Sequence, residues 1–350
     1  LLHVDELNSV TADLSDIEDQ VPLNYTYSPL GELMADASEQ IAEVVWRVDG
    51  KIKEIKRPSG STKKNLKFSY DASGKRIAKH IHTSSGSWEK STFYSYDASG
   101  NVIAIYEKKN VAGKQQFNLI ERNIYGSSRI GRNTQSVALI ASKTDNPGGE
   151  TPVPTPWPGG GGGGSVRTSS EAGGEQNGGS SGSNARSSDA QNNEQPLAGP
   201  PPPAYISKSY FTYSVGKKHY ELSNHLGNVL SVVSDKVIAL DADQNGVLDG
   251  LKADLISVAD YYPFGVIMPE RSWEKKDYRY SFQGQEHDDE VRGEDNSINY
   301  TFRMHDPRLG RFLSVDPHHS NYPGMSPYSA FGNSPIIMID PDGRDWIIST

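Results

Sequence analysis

Apolar and polar residues alternate in short runs separated by turn residues, and this pattern predicts β-hairpins. The motif Tyr-Asp-Ala-Ser-Gly occurs at 70–74 and again at 96–100. Each copy leads into an alternating stretch, at 75–81 and 101–106, and each follows a run that contains aromatic residues. A period of two is the period of a strand, so the repeating unit is strand, turn, strand.

The residue types of the motif explain the turn. Asp begins it and accepts hydrogen bonds from nearby backbone, Gly adopts the positive φ, and Tyr packs on the face of the hairpin. Looser copies occur at 25–31 and 44–55. One hairpin is marginally stable, so we expect successive hairpins to pair into a larger sheet. Only 38–46 and 284–294 have helical spacing, and both are short; the expected fold class is all-β.

Composition divides the chain. Between 144 and 204 it changes to Pro, Gly, Ser, Asn and Gln, including six consecutive glycines and four consecutive prolines. This composition predicts a disordered linker between a hairpin array at 1–143 and further repeat strands at 205–283. Composition is equally consistent with a linker that separates two independent domains.

Charge and residue content exclude several classes of function. The net charge is −9, from 44 acidic and 35 basic residues, without a basic stripe, so we expect no nucleic-acid partner. No window reaches the ~20 apolar residues of a membrane helix. The absence of cysteine excludes disulfides and thiolate chemistry. The chain starts at Leu1 without a signal-like segment, which we interpret as a fragment. No Walker or Rossmann loop occurs, so no cofactor is required.

Several longer motifs lie after the predicted linker. They are YELSNHLGNVL at 220–230, DYYPFG at 260–265, YRYSFQGQE at 278–286 and RMHDPRLGRFLSVDP at 303–317. The first resembles the YD/Rhs repeat of Bacteroidetes-type Rhs proteins, and the others resemble the Rhs-associated core domain. The repeat resemblance covers about 25–126 and the core resemblance covers 207–344.

The resemblance implies a fold and a function. The β-hairpins would wind into a shell or cocoon, and a core segment at 284–344 would plug it. The core of this family releases a C-terminal toxin segment of the same polypeptide by autoproteolysis. We therefore expect a polymorphic toxin shell that is secreted or displayed on the cell surface, with secretion machinery as a further partner.

The same resemblance assigns a cleavage site. The family motif P-x-x-x-x-D-P-x-G-L corresponds to 335–344, with Arg344 where Leu is usual. The expected cut lies between Arg344 and Asp345, so 345–350 would begin the released segment. Asp316 and Asp340 correspond to the aspartate pair of the family, and Arg303 is a candidate supporting residue.

The chemistry of such a pair requires the two carboxylates to lie close together. One ionised member deprotonates a water while its protonated partner polarises the scissile carbonyl. Without the resemblance, each Asp-Pro dipeptide predicts only a turn, because Asp caps the turn and Pro fixes φ. If the pair is inert, the chain is a structural or adhesive cell-surface β-repeat protein. A toxin within this chain is disfavoured, since six residues after the cut cannot fold.

A second candidate site is the segment 241–249, which resembles the first nine positions of a calcium loop. Its oxygen ligands would be Asp241, Asp243, Asn245 and Asp249, with glycine at position 6. Position 12 of a calcium loop is normally Glu, but here it is Lys252; Asp254 could supply the missing carboxylate ligand. Such loops are often plain turns.

Six of the nine histidines lie in polar segments and have no spacing typical of a zinc site. They are predicted to lie on the surface or in turns: His219, His225, His287, His305, His318 and His319.

Overall fold

The computed structural model describes residues 22–140, 214–274 and 278–349. The predicted linker at 144–204 lies outside the described residues. The strands are, in chain order, β1 (Tyr25–Tyr27), β2 (Leu33–Asp36), β3 (Glu43–Trp46), β4 (Ile52–Lys56), β5 (Asn65–Tyr70), β6 (Arg76–His82), β7 (Trp88–Tyr96), β8 (Val102–Val111), β9 (Lys114–Tyr125), β10 (Arg129–Asn133), β11 (Val137–Ile140), β12 (Lys218–Ser223), β13 (Val229–Leu240), β14 (Gly250–Val258), β15 (Trp273–Glu274), β16 (Glu286–His287), β17 (Ile298–Asn299), β18 (Met304–Asp306), β19 (Arg311–Phe312), β20 (Met338–Ile339) and β21 (Ile347–Ile348). Within these described ranges, one short helix, α1, spans Asp289–Arg292, and five 3-10 turns lie at 263–265, 269–271, 282–284, 319–321 and 331–333.

The hairpins form one antiparallel sheet of 13 strands within the described residues. Its order is β15-β14-β13-β12-β10-β9-β8-β7-β6-β5-β4-β3, with β11 paired to β9. The all-β fold class is therefore confirmed. Strands β10 and β12 pair through Gly131 and Tyr220, so the described residues on the two sides of the linker belong to one unit. A Cβ on Gly131 would lie 2.1 Å from the carbonyl oxygen of His219, which explains the glycine in this strand.

The repeated turns have the predicted chemistry. Asp71 accepts a hydrogen bond from the backbone N–H of Lys75 at 2.9 Å, and Asp97 accepts one from Asn101 at 2.8 Å. The fourth residue after each Tyr is a glycine with φ near +90°, namely Gly74 at 85° and Gly100 at 93°. Both hairpins therefore turn by the same mechanism.

The repeat tyrosines also connect neighbouring hairpins. The hydroxyl of Tyr70 donates to the carbonyl oxygen of Ile52 at 2.8 Å, and the hydroxyl of Tyr96 donates to the carbonyl oxygen of Arg76 at 2.6 Å. Tyr125 makes the equivalent bond to Val102 at 3.1 Å. A ring packed on the sheet with its hydroxyl bonded to the previous hairpin explains why the repeat uses Tyr where Phe would pack equally well.

The C-terminal segment, 278–349, packs against the hairpin sheet. It contains a four-stranded sheet, β16-β17-β18-β19, and the separate pair β20-β21. Its apolar core consists of Phe282, Ile298, Tyr300, Phe312, Ala330 and Phe331. A second core joins it to the first hairpins, because Val291, Met304 and Leu313 pack with residues of β1 to β6. Burial of this shared apolar surface is the main driving force for docking.

Buried charges reinforce this contact. Asp288 lies 2.7 Å from Arg76 and 3.0 Å from Lys79, both on β6, and all three side chains are at most 5% exposed. Arg292 pairs with Asp36 at 3.2 Å, with both side chains fully buried. Because a buried charge is costly without its partner, these pairs fix the register of the segment on the sheet.

The two short helices expected from spacing have different outcomes. The prediction at 38–46 is wrong, because the chain forms a turn followed by β3, which pairs with β4. Trp46 there donates its indole N–H to the carbonyl oxygen of Leu33. Within 284–294 one helical turn, α1, follows β16. Tertiary pairing thus overrides local helical spacing in the first case.

Candidate functional site

Arg303 brings the two candidate aspartates together. Its Nη2 atom lies 3.0 Å from Oδ2 of Asp316 and 3.4 Å from Oδ2 of Asp340. All three residues are buried, at 2%, 3% and 0% exposure. Because both carboxylate oxygens contact one nitrogen, they cannot be farther apart than the sum of those two distances. The structure connects the two carboxylates through the guanidinium group of Arg303, which contacts both of them.

Short strands position the three side chains. Arg303 immediately precedes β18, Asp316 follows β19, and Asp340 follows β20. The ring of Phe312 lies 3.7 Å from Cζ of Arg303 and covers one face of the guanidinium. The Nε atom of Arg303 donates to the carbonyl oxygen of Gly343. Arg303 therefore links the aspartates to the segment where the cut is expected.

Asp340 organises the turn that precedes Asp345. Its Oδ1 atom accepts backbone N–H groups from Asp342 at 3.2 Å, Gly343 at 2.6 Å and Arg344 at 3.2 Å. Gly343 has φ of +90°, and a Cβ there would lie 3.0 Å from Cβ of Tyr300. Glycine is thus required both by the backbone conformation and by space. The chain therefore bends at this glycine.

Burial shifts the titration of Asp340 above that of an exposed aspartate. Burial raises the pKa of Asp340 to about 6, although the amide of Gly343 and the charge of Arg303 both oppose the shift. Burial also lowers the pKa of Arg303, against the attraction of Asp316 and Asp340. An acid with a pKa near 6 can donate a proton close to neutral pH.

The residues on the far side of the expected cut are also held. Asp345 accepts a hydrogen bond from the hydroxyl of Tyr322 at 2.9 Å and contacts Nδ1 of His318 at 2.7 Å. Trp346 packs on Tyr322 with ring centroids 4.0 Å apart. Strand β21 pairs with β20, directly before Asp340. Backbone on both sides of the Arg344–Asp345 bond is therefore fixed.

Sequence reasoning missed two residues that support Asp340. The side-chain oxygen of Gln283 accepts the backbone N–H of Asp340 at 3.0 Å and the hydroxyl of Tyr300 at 3.2 Å. Gln283 has φ of 50° and is buried, which is unusual for glutamine. Gln283 lies in the motif at 278–286, which could have marked it as a candidate. That motif, however, does not indicate that its partner lies 57 residues away.

The candidate calcium loop lies at the exposed tip of the β13–β14 hairpin. Carboxylate oxygens of Asp241, Asp243 and Asp249 lie within 4.8 Å of one another. They also accept backbone N–H groups of the loop, such as that of Gly246 to Asp241 at 2.8 Å. Asp254 lies away from this cluster on β14, where it accepts the hydroxyl of Ser234. The loop can therefore be stable as a turn, and calcium binding stays a prediction.

The prediction that the histidines lie on the surface or in turns is wrong for two of them. His305 on β18 is fully buried among aromatic rings, and burial lowers its pKa to about 4. His287 on β16 has a side chain that is only 10% exposed. Both belong to short strands that single-sequence patterns do not reveal.

Comparison with known proteins gives partial matches. No protein-family model matches the sequence. The chain is 36% identical over 91 residues to salivary gland surface protein 1 of Aedes aegypti, covering 26% of this chain and 2% of that protein. It is 36% identical over 101 residues to toxin subunit YenC1 of Yersinia entomophaga, covering 27% of this chain. Toxin subunit YenC2 of the same organism is 33% identical over 105 residues, covering 28% of this chain. The chain spans 10% of the length of each of these two toxin subunits.

Solved structures show a related fold over most of the chain. The crystal structure of TcdB2-TccC3-TEV has a TM-score of 0.51 and 14% identity, covering 89% of this chain and 10% of that one. The crystal structure of TcdB2-TccC3-Cdc42 has a TM-score of 0.50 at 14% identity, covering 90% and 10%. At this identity the likeness shows the fold alone. The chain is thus similar in sequence, over about a quarter of its length, to two proteins named toxin subunits, and over most of its length it shares the fold of the TcdB2-TccC3 structures.

Proposed function

We propose that this chain is a shell region that carries a C-terminal effector and frees it by hydrolysing its own Arg344–Asp345 bond once. One observation carries the proposal: Arg303 contacts both Asp316 and Asp340, and Asp340 binds the turn that leads into that bond. Aspartyl chemistry needs two carboxylates close to the scissile peptide, one ionised and one protonated, and these two buried groups are the candidates for it.

The proposed roles follow from the contacts. Asp316, paired with Arg303, accepts a proton from a water that attacks the carbonyl carbon of Arg344. Asp340, neutral below a pKa of about 6, donates a proton to the carbonyl oxygen. Collapse of the tetrahedral intermediate breaks the C–N bond: the nitrogen of Asp345 takes the proton held by Asp316, and one hydroxyl of the intermediate returns its proton to Asp340. The products are a carboxyl group on Arg344 and an amine on Asp345.

Arg303 acts as a positioning residue in this proposal. It holds the Oδ2 atoms of both aspartates and, through Nε, the carbonyl oxygen of Gly343. The peptide unit before the cut is thereby fixed relative to both carboxylates. Fixed geometry of this kind converts a slow hydrolysis into a productive one, because the reacting groups need no further ordering.

The comparisons support the class of protein. Two relatives are named toxin subunits and one is named a surface protein, which favours a role outside the producing cell. Within the described residues, no helix is long and apolar enough to cross a membrane. The proposed partner is the effector that follows in the same polypeptide, with a second subunit suggested by the joint TcdB2 and TccC3 structures.

The experiment uses the chain with a folded reporter fused after Thr350. We expect two fragments on a denaturing gel and a new N terminus at Asp345 by mass spectrometry. Asp316→Asn and Asp340→Asn should leave the fusion intact while circular dichroism shows the native β spectrum. Asp49→Asn, an exposed carboxylate of the first repeat turns, is the control and should cleave normally.

A second function has its own support. All three bonds accepted by Oδ1 of Asp340 are those of a turn cap, and Arg303 contacts both carboxylates. These contacts would stabilise a passive shell equally well. A folded fusion protein that stays intact would establish this structural or adhesive alternative.

A further inference from the structure

The turn between β3 and β4 reaches the candidate site from the hairpin sheet. Lys51 ends this turn, and its side chain is buried, with the residue only 4% exposed. Its Nζ atom donates to the carbonyl oxygen of Thr301 at 3.2 Å, 250 residues later in the chain. Nζ also donates to the carbonyl oxygen of Gly74, in the turn between β5 and β6. Lys51 therefore joins two repeat turns to the C-terminal segment.

Phe302 connects Lys51 to the turn where the cut is expected. Nζ of Lys51 lies 4.2 Å from the centroid of the Phe302 ring, which is a cation–π arrangement. Cζ of Arg344 lies 3.9 Å from the centroid of the same ring. The backbone N–H of Phe302 donates to the carbonyl oxygen of Asp342 at 2.9 Å. Phe302 thus contacts both Lys51 and the turn that Asp340 holds.

The same hairpin turn adjoins the chain segments that carry Arg303 and Asp316. Residues 301 and 302 immediately precede Arg303. A Cβ on Gly50 would lie 3.9 Å from the side chain of Ser314, two residues before Asp316. A displacement of the hairpin turn would therefore be felt on both sides of the candidate site.

The ammonium group of Lys51 needs partners in fixed positions. It has three donors and no acceptor, and burying it is costly unless acceptors surround it. Its partners here are the carbonyl oxygens of Gly74 and Thr301 and the ring of Phe302. Because two of these partners are backbone atoms, the ammonium fixes the backbone at 301–302 relative to the hairpins.

We infer that Lys51 is a positioning residue for the proposed self-cleavage: it holds residues 301–302 against the hairpin turns and, through them, the turn at 342–344. This inference rests on the proposed function. Its consequence is that the Arg344–Asp345 bond is fixed only when the first hairpins are folded and docked on the C-terminal segment. Hydrolysis before docking would be slow, because the reacting groups would not yet be ordered.

Lys75 offers a matched control. It follows the glycine of the next repeat turn, as Lys51 follows that of its own turn. Its Nζ atom lies 5.5 Å from the centroid of the Tyr96 ring. A Cβ on Gly100 would overlap this nitrogen, as a Cβ on Gly74 would overlap Nζ of Lys51. Within the part of the chain that the structure describes, however, the contacts of Lys75 are to the hairpins.

The first test measures cleavage of the reporter fusion after refolding by dilution from urea. Lys51→Met retains a long apolar side chain but lacks the ammonium, so its rate constant should fall roughly 10-fold or more. Lys75→Met should cleave at the wild-type rate. Circular dichroism checks that both variants have the native β spectrum. Wild-type cleavage by Lys51→Met would overturn the inference and leave the proposed function standing.

Chemical rescue separates positioning from a general loss of folding. The chain has no cysteine, so Lys51→Cys carries a single thiol when the reporter is also free of cysteine. Alkylation in urea with 2-bromoethylamine rebuilds a side chain of lysine length with a terminal ammonium. Bromoethane gives a shorter product without the nitrogen. After refolding, only the ammonium product should recover cleavage. Equal rates of the two products, in a fusion whose wild type cleaves, would overturn the inference.

Hydrogen exchange tests the link without cleavage. In the Asp316→Asn background the Arg344–Asp345 bond should stay intact, and the amides of 342–344 donate to Asp340. Adding Lys51→Met should speed their exchange roughly 10-fold or more, and adding Lys75→Met should not. Unchanged exchange in the Lys51→Met variant would overturn the inference. A wild-type fusion that never cleaves would instead overturn the proposed function, and exchange alone would then decide whether Lys51 orders the turn.

Discussion

Arg76 on β6 and Asp288 in the C-terminal segment are 212 residues apart in sequence, yet their side chains lie 2.7 Å apart and almost fully buried. We expect Asp288→Asn to destabilise the protein by about 3–5 kcal/mol, because Arg76 and Lys79 would both lose their buried counter-charge. Urea denaturation of the purified chain measures this free energy.

The exposed pair Arg47–Asp49 is the matched control for that measurement. Its two side chains are 36% and 37% exposed, so solvent screens their attraction. Asp49→Asn should therefore cost no more than about 1 kcal/mol. Equal decreases in the free energy of unfolding of the two variants would show that the Arg76–Asp288 pair does not stabilise the contact between the C-terminal segment and the sheet.

The difference between those pairs also shows what sequence can predict. Asp71 and Gly74 determine a turn through contacts within five residues, so the hairpins follow from local pattern. Asp288 has no local signal, because its partners come from a strand more than two hundred residues earlier. The aspartate pair and Arg303 were assigned by resemblance, whereas the hydrogen bond from the backbone of Asp340 to Gln283 depends on tertiary packing that no spacing reveals.

Gly343 combines a left-handed backbone with a tight environment. In Gly343→Ala, we expect about 1–2 kcal/mol of backbone strain and about 1–3 kcal/mol of overpacking against Tyr300 and Arg303. The turn held by Asp340 would shift, so the proposed cleavage should also fall sharply. Thermal denaturation and gel analysis of the reporter fusion measure the two effects.

Gly86→Ala isolates the backbone contribution. Gly86 has φ of +93°, but a Cβ there would meet nothing within 4 Å. We expect only the strain of about 1–2 kcal/mol and unchanged cleavage. A loss of stability in Gly343→Ala no larger than in Gly86→Ala would contradict the packing observed around Gly343.

Arg344 occupies the position that is leucine in the Rhs motif that residues 335–344 resemble, and its contacts predict that either residue is accepted. Its guanidinium binds Asp342 at 2.6 Å and packs 3.9 Å from the ring of Phe302, while the side chain is 34% exposed. We expect Arg344→Leu to keep the apolar contact with Phe302 and to change stability by less than about 1 kcal/mol.

The position of the proposed cut should not depend on that side chain. The backbone N–H of residue 344 binds Asp340, and this bond does not involve the guanidinium. Mass spectrometry of the Arg344→Leu fusion should therefore find the same new N terminus at Asp345. Cleavage at another bond, or only in the leucine variant, would mean that the side chain selects the site.

The pKa of Asp340 predicts how stability depends on pH. Burial raises this pKa from 3.8 to about 6, so the folded protein binds a proton more tightly than the unfolded chain. The resulting stabilisation is fully present below pH 3.8 and is lost as the pH rises through 6. The free energy of unfolding should fall by up to about 3 kcal/mol over this pH range. Urea denaturation between pH 4 and 7 should show this loss in the wild type and a smaller one in Asp340→Asn.

The same proton sets the pH dependence of the proposed cleavage. Asp340 can act as the acid only while neutral, so the rate should fall roughly 10-fold for each pH unit above its pKa of about 6. Fusion protein refolded by dilution from urea at a series of pH values gives these rates on gels. The fall must follow Asp340 and not general unfolding, so circular dichroism at each pH is required. A rate that increases above pH 6 in folded protein would rule out Asp340 as the proton donor and would assign the reaction to an ionised group instead.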